Sequence, residues 1–210
     1  MERTEHREEK WIFPFVEYSP RSKRAGMPVI IQLHGAGERG EGKDDLSLVD
    51  RYGFSNIIRD KEIDCIFVMP QCPKENFWAG RVESLIKFIE DIIEYYGADA
   101  DRIYLTGSSM GGFGTWFVAM ARPDLFAAIA AACGGGMGWN AKALTMPVWA
   151  FHGDKDGTVD IMYSEDMMKR LLNYNEENKY TVFEGAGHAI QHLAFTDELI
   201  NWLLSKKRKH

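Results

Sequence analysis

The sequence predicts an α/β fold in which a mostly parallel sheet carries helices on both faces. Short segments rich in β-branched and aromatic residues alternate along the chain with longer segments whose apolar residues have helical spacing. Such alternation is typical of parallel sheets. The 210 residues contain no repeat, linker or low-complexity stretch. We therefore expect one domain over residues 1–210.

The first half of the chain contains three predicted strands and two predicted helices. The strands are residues 11–18, 27–33 and 65–69, and the helices are residues 46–59 and 82–96. Residues 27–33 are an almost continuous apolar run, which favours a central strand buried on both faces. Residues 82–96 have apolar side chains at helical spacing and stop at Gly97, a common residue after a helix.

The second half continues the alternation. Its predicted strands are residues 102–106, 126–132, 147–151 and 180–183, and its predicted helices are residues 113–121, 161–172 and 191–204. The helix 113–121 ends at Arg122-Pro123, because the residue before a proline disfavours helix. Asp160 can cap the helix 161–172, since its carboxylate can accept from free N–H groups in the first turn.

Composition excludes several classes of partner. The net charge is −6 and the only basic cluster is the tail 206–210, so we expect no nucleic-acid binding. No apolar run is long enough to span a bilayer, so we expect no membrane association. We expect the charged segment 1–10 and the tail 206–210 to be peripheral. Nothing in the sequence indicates an oligomeric state.

The three cysteines, Cys65, Cys72 and Cys133, are scattered and lack the spacing of a metal site. They are typical of reduced thiols in a core. The charged first ten residues contain no apolar segment of the kind found in signal peptides. We therefore expect a cytoplasmic protein.

Residues 107–111 read Gly-Ser-Ser-Met-Gly, between a predicted strand and a predicted helix. In this register the serine of a Gly-x-Ser-x-Gly motif is Ser109. A tight strand-to-helix turn holds such a serine in a strained conformation with its hydroxyl exposed, and leaves no room for a Cβ at the flanking glycines. Ser109 is therefore the candidate nucleophile.

A serine nucleophile needs a base, and His188 is the candidate. It follows the last predicted strand, whereas His192 belongs to the final helix. His34 and His152 each precede a glycine at a strand end, where the ring more often braces a turn. A zinc peptidase helix would carry Glu after the first histidine, but Ala189 stands there, so we expect no metal.

The base needs an acid that orients it, on a strand-end loop between the serine and the histidine. The loop 152–160 offers three aspartates. Asp160 is better explained as a helix cap and Asp154 as a turn residue. Asp156 is the candidate acid.

Stabilisation of the oxyanion requires two N–H groups near the nucleophile. One is expected from Met110, directly after Ser109. The second is expected from the glycine-rich loop 34–40, with Ala36 as the first choice and Gly37 as the second.

Loop aromatics and a loop methionine are candidates for substrate binding. They are Trp78, Met137 and Trp139. Residues 133–146, between two predicted strands, are too few for a cap domain. We therefore expect an open cleft, with at most a short rim.

Four motifs together resemble the α/β-hydrolase superfamily, most closely its carboxylesterase, phospholipase-like and feruloyl-esterase-like branches. They are Leu-His-Gly-Ala-Gly-Glu-Arg-Gly at 33–40, the segment 102–112, His-Gly-Asp-Lys-Asp at 152–156 and Gly-His at 187–188. The resemblance implies that Asp156, the second aspartate of its loop, is the acid, and that Ala36 supplies an oxyanion N–H. Many relatives have a proline where this chain has Asp160.

The expected function is hydrolysis of small or accessible carboxylic esters through an acyl-enzyme, with no cofactor. A serine peptidase or a thioesterase on the same fold is an alternative, because fold does not separate these activities. A non-catalytic binding protein that keeps the hydrolase fold is a further alternative, which the loss of a triad residue would favour.

Overall fold

The computed structural model describes residues 1–209. Over this range the strands are β1 (Glu2–His6), β2 (Phe15–Ser19), β3 (Val29–Leu33), β4 (Ile66–Pro70), β5 (Ile103–Ser108), β6 (Ala128–Ala132), β7 (Val148–Gly153) and β8 (Lys179–Phe183). They form one sheet in the order β1-β2-β4-β3-β5-β6-β7-β8. The pairs from β4 to β8 along this order are parallel, whereas β2 is antiparallel to both β1 and β4.

Helices cover both faces of the sheet, as predicted. They are α1 (Ser55–Ile58), α2 (Val82–Tyr96), α3 (Met110–Ala121), α4 (Met162–Leu171), α5 (Gln191–Ala194) and α6 (Asp197–Leu204). Side chains of α2, α3 and α4 belong to one buried apolar cluster, and side chains of α1, α5 and α6 belong to another. Because neighbouring residues of a strand face opposite sides, Ile31 enters the first cluster and Ile30 the second.

The N-terminus differs from the prediction. The sequence predicted residues 11–18 as the first strand and residues 1–10 as peripheral, but Glu2–His6 forms an edge strand paired with β2. The segment is Glu-Arg-Thr-Glu-His, and four of its five residues are not buried. An edge strand of this kind carries no apolar alternation, so composition alone did not reveal it.

Two long predicted helices are broken in the structure. The segment 46–59 becomes a 3₁₀ turn at Asp44–Leu48 and the short α1, separated by Gly53. Gly53 has a φ of 87°, and a Cβ there would overlap the side chain of Gln32. The segment 191–204 divides into α5 and α6, where the Thr196 hydroxyl accepts from Leu199 N–H and caps α6.

The basic tail is described as far as Lys209, and His210 lies outside the described residues. Lys206 and Lys209 both pair with Glu177, and Arg208 pairs with Asp101. The tail therefore lies against the body of the protein. Within residues 1–209, every helix is too short or too polar to cross a lipid bilayer.

A buried carboxylate helps to hold the antiparallel end of the sheet. Glu17 on β2 is 1% exposed and accepts hydrogen bonds from His6, Lys23 and Tyr96 at 2.7–2.9 Å. Burial alone would raise the pKa of Glu17, but these hydrogen bonds outweigh burial and lower it to about 2. The carboxylate is therefore ionised in the folded protein.

This cluster predicts a loss of stability in acid. The folded-state pKa of Glu17 lies below its unfolded value, so its contribution is complete above about pH 4.5 and is lost as pH falls toward 2. The contribution is worth about 3 kcal/mol. Glu17→Gln should lower the free energy of unfolding in urea at pH 7 and flatten its decline between pH 5 and pH 2.5. Glu62→Gln, at an exposed position, is the matched control, and an equal effect there would contradict the assignment.

Candidate active site

The candidate catalytic residues follow parallel strands and lie where these strands end, at one edge of the sheet. Ser109 directly follows β5, Asp156 lies in the loop after β7, and His188 lies in the loop after β8. Parallel strands end at the same edge, so residues far apart in sequence meet there. Ala36 follows β3 at this same edge.

Ser109 stands on a strained turn between β5 and α3. Its backbone has φ 56° and ψ −119°, a region that side chains with a Cβ rarely adopt. A Cβ on Gly107 would overlap the backbone of Gly111, and one on Gly111 would overlap the carbonyl of Leu33. The two glycines are therefore required for the close backbone approach, as the sequence predicted.

A continuous chain of hydrogen bonds links the three residues. The Ser109 Oγ lies 2.9 Å from His188 Nε2, and His188 Nδ1 lies 2.7 Å from Asp156 Oδ2. A carboxylate accepts only, so the proton between His188 and Asp156 belongs to Nδ1. In the neutral ring Nε2 is then free to accept the Ser109 hydroxyl proton.

The Asp156 carboxylate is held at both oxygens. Its Oδ1 accepts from Thr158 N–H at 2.8 Å and from Val159 N–H at 2.9 Å. The side chain has no exposed surface. Burial acts to raise the pKa of Asp156, but the hydrogen bonds from Val159, His188 and Thr158 lower it to about 2. The acid is therefore ionised at neutral pH.

The residues that the sequence ranked lower have other partners. Asp154 Oδ1 accepts from Gly185 N–H at 2.6 Å, which joins the turns after β7 and β8. Asp160 Oδ1 accepts from Met162 N–H at the start of α4. His192 is exposed on α5.

The two backbone segments from which the oxyanion N–H groups are expected both lie near Ser109. Met110 is the first residue of α3, where N–H groups lack an acceptor within the helix. Ala36 and Gly37 lie together in the 3₁₀ turn Ala36–Glu38. This turn is close to Ser109, since a Cβ on Gly35 would lie 3.9 Å from the Ser109 Cβ.

Buried side chains bind the backbone that leads into the 3₁₀ turn Ala36–Glu38. His34 Nδ1 donates to Gly35 O at 2.6 Å, and its Nε2 accepts from Cys72 N–H at 2.9 Å. Burial lowers the pKa of His34 to about 4, so the ring is neutral at pH 7. Trp78 Nε1 donates to His34 O at 3.0 Å. Trp78 has no exposed surface, which corrects its expected place in the substrate cleft.

The other two expected cleft residues, Met137 and Trp139, lie in the connection between β6 and β7. In this connection a Cβ on Gly136 would lie 3.1 Å from the Cβ of Trp116 on α3. The place of Met137 and Trp139 beside the cleft stays a prediction. Trp139 is 76% exposed.

An aromatic pair that the sequence did not single out begins one helical turn from the nucleophile. Phe113 is one helical turn beyond Ser109, and its N–H donates to Ser109 O. Its ring meets Tyr163 edge-on at 5.6 Å between centroids. The sequence offered one signal for Phe113, which is its position four residues after the nucleophile. Long side chains on a helix lean toward the N-terminus, so a residue at this position leans toward Ser109.

Cys133 also belongs to the site. It directly follows β6, has a φ of 49°, and its thiol lies 3.5 Å from His188 O. Its Sγ, an Asp156 oxygen and a His188 nitrogen lie within 4.8 Å of one another, and all three are possible metal ligands. In the structure the His188 and Asp156 side chains are bonded to each other. Burial and the neighbouring Asp156 carboxylate raise the pKa of Cys133, so its thiol is neutral.

A groove of about 770 Å³ lies away from this site. It is bounded by residues at the starts of β6 and β7 and by the tail 205–209. Parallel strands begin at the edge opposite to the one where they end, so this groove and Ser109 lie at opposite edges of the sheet. The volume of a groove therefore does not identify the candidate active site of this protein.

Fold and site together define an α/β hydrolase, as the resemblance implied. The chain belongs to the dienelactone hydrolase family, which matches residues 70–195. The match includes Ser109, Asp156 and His188, whereas Ala36 lies before it.

Curated relatives of the chain are esterases. Feruloyl esterase B of Talaromyces funiculosus is 28% identical over 117 residues, which cover 53% of this chain and 33% of the relative. Acetylxylan esterase A of Aspergillus ficuum is 29% identical over 117 residues, which cover 53% of this chain and 39% of the relative. The chain therefore spans between one third and two fifths of the length of these relatives.

Solved structures share the fold along almost the whole chain. A thermostable esterase superimposes with a TM-score of 0.81 and 26% identity, over 99% of this chain and 63% of its own. The feruloyl esterase module of Clostridium thermocellum superimposes with a TM-score of 0.71 and 14% identity, over 100% of this chain and 89% of its own. The second likeness concerns the fold alone.

Proposed function

We infer that the protein is a serine hydrolase of carboxylic esters, with Ser109 as nucleophile, His188 as general base and acid, and Asp156 as the orienting acid. The observation that carries this inference is the unbroken chain from Ser109 Oγ through His188 to Asp156, with contacts of 2.9 and 2.7 Å. This chain of contacts also disfavours a binding protein that has lost catalysis. Such a protein has no need to keep three side chains within hydrogen-bonding distance of one another.

Acylation begins with transfer of the Ser109 hydroxyl proton to His188 Nε2 while Oγ attacks the ester carbonyl. The resulting imidazolium is stabilised by the ionised Asp156. The oxyanion of the tetrahedral intermediate accepts from the N–H groups of Ala36 and Met110. His188 then protonates the departing alcohol, leaving an acyl group on Ser109.

Deacylation repeats these steps with water as the nucleophile. His188 Nε2 removes a proton from water, which attacks the acyl carbonyl, and the same two N–H groups stabilise the second oxyanion. The proton returns to Ser109 Oγ as the carboxylic acid leaves. Every proton transfer uses the single free nitrogen of His188.

The shape of the site supports a small or accessible substrate. β6 ends at Ala132 and β7 begins at Val148, and the connection contains only the 3₁₀ segment Gly138–Ala143. A connection of this length does not form a cap domain, so a long acyl chain would remain largely in water. Each methylene left unburied forgoes about 0.8 kcal/mol. The Phe113–Tyr163 pair offers an aromatic acyl group a stacking partner that Trp78 does not.

A panel of purified-protein assays tests the proposed function. We expect kcat/KM on p-nitrophenyl esters to peak at acyl groups of about two to six carbons, with feruloyl and acetyl sugar esters also cleaved. The rate should not rise when the substrate forms micelles. A preference for long-chain triglycerides with such a rise would contradict the open cleft. Faster cleavage of acyl-CoA or of peptide amides would instead identify a thioesterase or a peptidase.

A further inference from the structure

We propose that His152 is a positioning residue for the catalytic acid, acting through a network with the buried Ser164 and the half-buried Tyr180. The proposal rests on the function assigned above to Asp156. His152 has no exposed surface and stands near the end of β7, four residues before Asp156. Its Nε2 lies 3.3 Å from Asp156 Oδ2, the oxygen that accepts from His188.

The partners of His152 determine which nitrogen carries its proton. Nε2 lies 3.0 Å from the carbonyl of Val159, which can only accept. Nε2 is therefore protonated, and this N–H faces both the Val159 carbonyl and Asp156 Oδ2. In the neutral ring Nδ1 must accept, and the hydroxyl of Ser164 at 2.8 Å is its donor. This hydroxyl has one proton, which both Nδ1 and the carbonyl of Ile161, 3.0 Å from Ser164 Oγ, can accept. Tyr180 OH, 2.8 Å away, therefore donates to Ser164.

The network joins three elements around an irregular loop. His152 belongs to β7, Ser164 to α4 and Tyr180 to β8. The loop between β7 and α4 carries Asp156 and has no regular structure. Backbone hydrogen bonds hold only its first part, where Lys155 N–H donates to Ala186 O and Asp156 N–H donates to Gly153 O. Beyond that, the N–H groups of Thr158 and Val159 bind the Asp156 side chain, so His152 contacts the part of the loop that side chains hold.

His152 acts on the carboxylate by two routes at once. It faces Asp156 Oδ2 directly, and it binds the carbonyl of Val159, whose N–H donates to Asp156 Oδ1. The ring, the Val159 peptide and the carboxylate form a closed set of contacts. Removing the ring would free both the acid and one of the backbone groups that bind it. A displacement of about 1 Å in such a group can lower the rate by about 100-fold.

A histidine at this place is not explained by packing alone. Its polar atoms are buried, so each must have a partner or destabilise the fold. An apolar side chain would fill the same space without that requirement. The ring is therefore useful for its two nitrogens, since the Nε2 N–H faces the loop of Asp156 and Nδ1 accepts from Ser164.

The experiment compares His152→Asn with His152→Gln in the full-length protein. The shorter asparagine side chain cannot place an N–H where Nε2 stands, whereas glutamine can. We expect His152→Asn to lower kcat on p-nitrophenyl acetate by about 10- to 100-fold with KM changed less than twofold. The acid limb of kcat/KM should move to lower pH, because a displaced Asp156 stabilises the His188 imidazolium less. His152→Gln should recover most of both effects.

Thr181→Val is the matched structural control. It removes the hydrogen bond from Trp149 Nε1 to Thr181 Oγ1, which joins the same two strands as the network but does not involve Asp156. We expect it to lower the melting temperature and to leave the pH profile unchanged. If His152→Asn behaves in the same way, with a lower melting temperature but an unchanged pH profile and kcat, the proposal is wrong.

A spectroscopic measurement separates this proposal from the proposed function. The proton between His188 Nδ1 and Asp156 should give a far-downfield ¹H NMR resonance, whether or not the protein cleaves esters. We expect this resonance in the wild type and in His152→Gln, and its loss or broadening in His152→Asn. A wild type with the resonance but without esterase activity would overturn only the function. An unperturbed resonance in His152→Asn would overturn the positioning role.

Discussion

Ser109→Ala is expected to lower kcat/KM for p-nitrophenyl acetate by roughly 10⁴-fold or more. Without the Oγ there is no atom to form the acyl-enzyme, and only the oxyanion donors and binding contribute to any remaining rate. The fold should persist, because alanine keeps the Cβ at the same backbone angles. The measurement is steady-state hydrolysis, with the melting temperature followed in parallel.

Ser108 provides the control for this variant. It neighbours Ser109, yet its Oγ is buried and has no hydrogen-bond partner among the described residues. Ser108→Ala should therefore retain most of the activity. A fluorophosphonate probe should label the wild type and Ser108→Ala but not Ser109→Ala. Labelling that persists in Ser109→Ala would assign the nucleophile to another residue.

Asp156→Asn is expected to cost about 10⁴-fold in kcat. The N–H groups of Thr158 and Val159 require an oxygen at the Oδ1 position, so the amide nitrogen of asparagine must face His188. That nitrogen donates, which forces His188 Nδ1 to accept and moves the ring proton to Nε2. Nε2 can then no longer accept the proton of Ser109.

The neighbouring aspartates allow a direct comparison with Asp156. Asp154→Asn and Asp160→Asn both keep an oxygen that can accept from their present donors, Gly185 N–H and Met162 N–H. Both variants should stay within a few-fold of wild-type kcat. A loss in Asp154→Asn equal to that in Asp156→Asn would mean that the wrong carboxylate has been identified as the acid.

The success of the fold prediction depended on how much apolar surface each element buries. Residues 82–96 were predicted as a helix with the bounds of α2, because one face of that helix is buried and one is exposed. β1 was missed because an edge strand with polar side chains leaves no such pattern. The helices predicted over residues 46–59 and 191–204 were too long. Each is interrupted in the structure, and the breaks depend on local contacts of Gly53 and Thr196.

Local sequence predicted the candidate triad because each member follows a strand, and strand ends meet by topology. The prediction failed for the direction of one side chain. Trp78 turns inward, where its Nε1 donates to the His34 carbonyl. Its position in a loop does not determine this direction. The contacts of His152 likewise depend on how α4 and β8 pack against β7.

The backbone angles at Ser109 have an evolutionary consequence. A glycine would adopt φ 56° and ψ −119° more comfortably than serine, and relief of such strain is worth on the order of 1 kcal/mol. Selection for heat resistance alone would therefore favour loss of the hydroxyl on which the proposed chemistry depends. A screen for robust variants of this protein has to select for turnover as well, or it will enrich inactive ones.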